Sequence, residues 1–297
     1  MPASDIAHPA VSRRMWEAVE RLHGVCYTAP EVRERGTAAG LKGFWMNYFA
    51  TRAAPLGPVT RPVIASTFFY YGPGRIARAI PDAWQFSTPE AALEARFVAM
   101  DEALTRLLGP PGPQASELLS LLLAAAEGGQ AEGRTLFAGW ADVVPPESPW
   151  ARIWWATTVL REHRSGSHLI ALCAEGLDGC EAVVSHVAVG EAPAAWITDE
   201  AAWDDEAVAA AKRRLVKRGW LLASTGMATE AGRAGRTRIE LATDRLDLVL
   251  WRCLGAERTE RLAGLLAGLA PALPPDDQLD WRQLYRPGVA ASGPAPD

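Results

Sequence analysis

The stretch "LREHRSGSH", residues 160–168, holds Arg161, Glu162, His163, Arg164 and His168, and with them two of the chain's five histidines. Imidazole titrates nearest neutrality, a carboxylate can orient it, and guanidinium groups hold anions. Together these types fit acid–base chemistry on an anionic substrate. Read as a helix, "WARIWWATTVLREHR" puts Trp155, Val159, Glu162 and His163 on one face, with Arg161 and Arg164 on the flanks. "SGS" reads as a helix break, with Ser167 capping a new helix that opens at His168. His163 then lies in a last turn, where the helix dipole favours the cation, and His168 in a first turn, where it favours the neutral ring. Effects of ~0.3–1 kcal/mol each would split the two pKa values by roughly one unit. That split suits His163 as acid and His168 as base, with Glu162 beside them.

Two other readings of the stretch stay open. Glu162, His163 and His168 could ligate a metal with His23 as a fourth, but the spacing matches no HExxH pair and Arg161 and Arg164 oppose a cation. No metal and no cofactor are therefore expected. An Arg–Glu–His ion-pair network that only holds the turn is the plain alternative. Support for a site comes from Arg52, four after Tyr48 and seven after Trp45 on a nearly wholly apolar segment. A buried guanidinium needs a partner, and Glu162 or an anionic ligand would serve. His23 and Tyr27, on one stripe with Trp16, could close the same cavity.

The elements that must position these residues are helical almost throughout. In "SRRMWEAVERLHGVCY" Met15, Val19, Leu22 and Cys26 recur at helical spacing, with Ser12 as a cap. "LKGFWMNYFATRAAP" predicts a buried helix ending before Pro55. "TPEAALEARFVAMDEALTRLLG" has a Thr cap, Pro in the first turn, acid early, Arg late and Gly after the end. "GPPGPQ" (109–114) and "VVPPESP" (143–149) are breaks, and no internal repeat is legible. "GPGRIA" (72–77) mimics a dinucleotide fingerprint but lacks a βαβ setting, and neither a P-loop nor a serine nucleophile elbow is present.

The 297 residues are 49% apolar, enough for a core without metals or staples. No apolar run reaches membrane-helix length, and "MPASDIAHPAVSRRMW" lacks the stretch of a secretory signal. With Cys26, Cys173, Cys180 and Cys253 scattered, reduced thiols and a cytoplasmic setting are expected. A net charge of −5 argues against a protein devoted to a polyanion. Twelve Trp suit either a pocket for flat, apolar ligands or plain core filling.

From Asp178 the pattern is helix–helix–hairpin–helix. "LDGCEAVVSHVAVG" opens with a capping box, a second helix ends in "RLVKRG", "WLL" and "MA" flank "ASTG", and Thr229 caps "EAGR". "L..RGWL......TEAGR" resembles the tail of MarR-type winged domains. With "FWMNYFATRAAPLGPV", "LREHRSGSH" and "TEAGR...IE.ATDRL", residues 11–270 resemble the actinobacterial family known as SalK-like or helix-turn-helix domain-containing proteins, which have no settled activity. "FFYYGPGRIARA" departs from that pattern, where a helix-friendly stretch is expected. The resemblance implies a winged helix, and such helices read bases with the start of the recognition helix. Here that start carries Asp199, Glu200, Asp204, Asp205 and Glu206, which oppose phosphates, while Lys212, Arg213, Arg214, Lys217 and Arg218 lie at the far end.

The sequence thus predicts a mainly α protein: a helical N-terminal domain (1–146), a C-terminal domain (147–285) containing a winged helix-turn-helix with a short β-hairpin wing, and a loose tail (286–297). The expected function is binding of an apolar or aromatic metabolite between the halves, with non-redox chemistry by His163, His168 and Glu162. His23, Tyr27, Trp45, Tyr48, Arg52, Trp155, Arg161 and Arg164 would bind the substrate. The alternative is a MarR-like, ligand-responsive DNA-binding regulator, with nucleic acid disfavoured by the acidic helix start; a third is a non-catalytic interaction protein. No membrane partner is expected, and a homodimer could form through the terminal helices.

Overall fold

The computed structural model describes residues 8–274; the expected tail at 286–297 and the end of the C-terminal domain lie outside them. The first half opens with α1 (Ala10–His23), α2 (Val25–Thr28) and α3 (Pro30–Ala38). These lead to α4 (Gly43–Ala53), a short 3-10 turn (Ala54–Leu56) and the small helices α5 (Arg61–Phe68), α6 (Pro73–Ala77) and α7 (Ala83–Phe86). Two longer helices follow, α8 (Pro89–Leu108) and α9 (Gln114–Ala126), then α10 (Thr135–Asp142). The second half is α11 (Pro149–Ala174), α12 (Gly179–Ala188), a π-helical turn (Trp196–Glu200), α13 (Asp205–Lys217), α14 (Glu230–Leu254) and α15 (Ala256–Leu269).

Local chemistry sets these boundaries. Thr88, Ser148, Asp204 and Thr229 each accept a backbone N–H in the first turn of the helix that follows. Asp178 and Glu181 form a reciprocal capping box at α12. Gly109 and Gly255 stop α8 and α14 with φ of 76° and 84°, a conformation that costs glycine nothing.

Three expectations are corrected. Among the described residues there is no β-strand and no sheet, so the hairpin wing does not form. The chain between α13 and α14 makes one antiparallel bridge, Leu221 to Ala228, and closes by hydrogen bonds from the Leu222 N–H to Met227 O (2.9 Å) and the Gly226 N–H to Leu222 O (2.8 Å). Leu222 and Met227 stay exposed, at 47% and 56%, so a longer ribbon would have nothing to bury against. Second, "SGS" does not break a helix, because α11 runs through it for 26 residues. Gly166 is where Arg134 crosses the helix, a Cβ there falling 2.6 Å from Arg134 Cγ. Ser167 Oγ accepts from Arg134 Nε (3.0 Å) and donates to His163 O (3.0 Å). These small residues serve close packing, which outweighs their low helix propensity. Third, Ser12 is not a cap: it is buried inside α1 and donates to Asp247 Oδ2 (2.8 Å).

Two apolar cores result. The larger joins Met15, Phe49, Met100, Leu122, Trp140 and Trp154 of the first 160 residues to Leu248, Trp251, Leu262 and Leu266 of α14 and α15. The smaller gathers Leu172, Val183, Trp196, Leu215, Trp220 and Ile239 around α12 and α13. The tryptophans knit the helices together: Trp140 Nε1 donates to Arg52 O, Trp154 Nε1 to His23 O and Trp155 Nε1 to Trp140 O. Their N–H groups are spent on backbone carbonyls.

Candidate functional site

Helix α11 is the spine of the predicted site, and its unbroken course separates the two imidazoles. His163 and His168 stand five residues apart on one helix, about 140° around its axis. Neither lies at a helix end, so opposed end-dipoles do not act on them. The site residues fall into three groups.

The first group is a buried polar knot between α11, α4 and α1. Arg52 donates from Nε to Glu162 Oε1 (2.7 Å) and from Nη2 to Glu162 Oε2 (2.8 Å), a bidentate pair, and from Nη1 to Tyr48 OH (3.0 Å). Arg161 adds a bond to Glu162 Oε1 (3.1 Å) and lies 3.4 Å from Glu20. Burial opposes charge on Glu162, yet Arg52 and Arg161 outweigh it and hold the carboxyl below its usual range. His23 is stacked on Trp154 and bonded to Thr158 Oγ1 (3.1 Å) and Tyr27 OH (3.1 Å). Burial, then Arg161, Arg96 and Arg52, push its pKa well below the ordinary value, so the ring is neutral. His23, Tyr27, Arg52, Thr158 and Glu162 do surround one cavity, of about 10 Å³. That volume holds about one water, not a metabolite.

The second group faces α14. His163 Nδ1 bonds Asp247 Oδ1 (2.8 Å), with the ring edge-on to Phe137, and Arg164 Nη2 donates to Asp244 Oδ1 (2.6 Å). The third is His168, whose Nδ1 lies 2.9 Å from Thr243 Oγ1 and 3.9 Å from Glu240. Burial, against the pull of Glu240, lowers its pKa from 6.5 to about 4. Trp155 is buried beside Trp140, and Trp45 lies under the Arg75 guanidinium, 4.4 Å away; neither lines the cavity. Asp244 and Asp247 were missed by the sequence reading; their i, i+3 spacing one turn ahead of Trp251 was the available signal. Among the described residues no group of three or more His, Cys, Asp or Glu side chains is placed to hold a metal.

A different surface is built by α12, the π-helical turn and α13. Helix α13 buries Val208, Ala211 and Leu215 and turns the opposite face outward. That face carries Asp205 and Glu206 in the first turn and Lys212, Arg213 and Lys217 in the last two, all exposed. The acidic start is weaker than expected. Asp199 and Glu200 sit on the π turn rather than on α13, and Asp204 caps the helix by accepting from the Ala207 N–H (2.7 Å). Arg214 pairs with Asp178 and Glu181, and Arg218 with Glu175, so these two cations brace α13 against the preceding elements. Behind it, α14 crosses at Gly232 and Gly235, where a Cβ would lie 2.3 Å from Trp220 O and 2.2 Å from the Trp220 ring. The glycines of "TEAGRAG" let the third helix close on the motif.

This chain belongs to a helix-turn-helix family, whose model matches residues 12–279. No curated protein and no solved structure matches it. No helix among the described residues is long and apolar enough to cross a membrane.

Proposed function

We propose that this helix-turn-helix protein is a DNA-binding regulator that docks duplex DNA with the outer face of α13. Family membership supports the reading. The observation that carries it is the exposed cationic trio Lys212, Arg213 and Lys217 on the helix that follows the turn, with its apolar side packed on α12 in the smaller core. Docking engages phosphates through the last two turns, the end away from Asp205 and Glu206. The narrower kinship with SalK-like and MarR-type proteins is supported by the Asp178 capping box and the Thr229-capped helix after the motif.

Acid–base chemistry on an apolar metabolite is not what this geometry favours. The cavity on α11 has room for about one water, and the groups around it already satisfy one another as ion pairs and hydrogen bonds. An electrophoretic mobility shift at low salt, using the DNA that flanks the protein's own gene, tests the proposal. A shift competed by that DNA and not by a scrambled duplex is expected. Absence of any sequence-dependent shift overturns it.

A further inference from the structure

Two halves of the chain repeat one plan. Gly40-Leu41-Lys42-Gly43 and Gly176-Leu177-Asp178-Gly179 stand 136 residues apart. Each closes a helix with a left-handed glycine, Gly40 at φ 91° and Gly176 at φ 73°. The bonds match at the same offset: the Leu41 N–H donates to Gly36 O and the Leu177 N–H to Leu172 O, the Gly40 N–H to Thr37 O and the Gly176 N–H to Cys173 O. Both leucines are buried. Helices α4 and α12 begin at the same offset, on Gly43 and Gly179. Further on, Thr88 and Thr229 cap α8 and α14, each ending at a left-handed glycine and followed by a shorter helix, α9 and α15. The unbroken α11 matches the broken run α1–α3.

Packing is reciprocal as well. Helix α1 rests on α14 and α15, while α11 rests on α8 and α9. Helix α3 lies along α8 as α11 lies along α14, and like meets like where α1 meets α11 and α9 meets α15. This is the pattern of an isologous dimer, with both copies supplied by one chain.

The copies differ where DNA would be read. The second has α13, thirteen residues long, with its outward cations. At the corresponding place the first has only α5 to α7, of eight, five and four residues. Its segment 70–75 is used as a brace under the α12–α13 connection. The Gly72 N–H donates to Ala201 O (2.7 Å), Tyr70 O accepts from Trp203 Nε1 (2.8 Å), and Arg75 Nε donates to Glu200 O (3.0 Å). A Cβ on Gly72 would fall 2.4 Å from Ala202 O and 3.2 Å from Ala201 O, so the two segments touch backbone to backbone.

We infer that the chain is a fused pair of helix-turn-helix units with one working head, which binds as a monomer to a single, non-palindromic DNA segment. The inference rests on the DNA reading above. In this arrangement the surfaces of α14 and α15 that could pair two chains are covered by α1, α9 and α11 of the same chain. The molecule that docks is then a 32.0 kDa monomer.

The test is selection of duplexes from a random pool by the full chain at low salt, followed by light scattering of free protein and complex. The expected result is one enriched non-palindromic block, one protein per duplex, and a free mass of one chain. Binding should weaken at least about tenfold in the Lys212→Ala/Arg213→Ala/Lys217→Ala variant. A palindromic motif with half-sites about one helical turn apart and two chains per duplex overturns the inference and leaves the DNA reading standing. Sequence-specific binding of undiminished affinity in the triple variant overturns it too, since α13 would then not be the reading head. No enrichment overturns the DNA reading and this inference with it.

Discussion

Arg52 and Glu162 define the energetics of the α11 knot at the residue scale. Both are buried, and each offsets the desolvation of the other through two parallel N–H···O bonds. Arg52→Met leaves Glu162 a buried carboxylate supported only by Arg161, and a loss of about 3–5 kcal/mol in denaturant unfolding is expected. Arg52→Met/Glu162→Leu should recover most of that loss; a double variant as unstable as the single would contradict the account. His168 gives a pH prediction. Its folded pKa, about 4, lies below the unfolded value of 6.5, so the unfolded chain binds its proton first as pH falls. The stability it contributes is complete above 6.5 and is lost on descending toward 4, by up to roughly 3 kcal/mol. His168→Gln should flatten the unfolding free energy between those pH values, and an unchanged slope would show that His168 is not buried neutral. The Arg52–Glu162 pair was legible in the sequence, since a guanidinium on an apolar helix demands a counter-charge. The partners of His163 and Arg164 were not, because Asp244 and Asp247 lie some 80 residues away and only packing of α14 on α11 joins them.

At the scale of elements, the cap signals at Thr88, Asp178 and Thr229 held, while those at Ser12 and Ser167 failed because both serines are drawn into tertiary packing inside helices. The Thr-capped α8 and α14 and the capping box of α12 were readable from side chains that bond their own helix. "SGS" and "WLLASTGMA" were misread because their local preference for a break or a hairpin carries no record of what packs beside them. Gly166 marks the difference. In an exposed helix Gly→Ala stabilises by about 1 kcal/mol, yet Gly166→Ala should destabilise, since the new methyl meets Arg134 down to its Cα. A raised melting temperature would contradict the packing described. Gly235→Ala should likewise push Trp220 away from α14, lowering the melting temperature and red-shifting tryptophan fluorescence. An unperturbed spectrum would contradict the close approach. The repeat escaped detection because its two copies share little beyond Gly-Leu-x-Gly and a capping threonine; their kinship lies in hydrogen-bond pattern and packing.

For the molecule as a whole, a net charge of −5 is a poor match for a polyanion, but the average conceals the placement. Many arginines are spent in pairs within the chain, such as Arg35 with Glu102, Arg106 with Glu31 and Arg261 with Glu117, while Lys212, Arg213 and Lys217 are gathered on one outward helix face. Affinity should therefore depend on a few local contacts, not on the overall field. The most direct measurement is the salt dependence of binding to a selected duplex, followed by fluorescence anisotropy between about 50 and 200 mM salt. The account predicts that Lys212→Ala/Arg213→Ala/Lys217→Ala binds more weakly and with a log–log slope shallower by roughly two to three units, about 0.9 for each phosphate contact removed. A triple variant with the slope and affinity of the parent protein would contradict it.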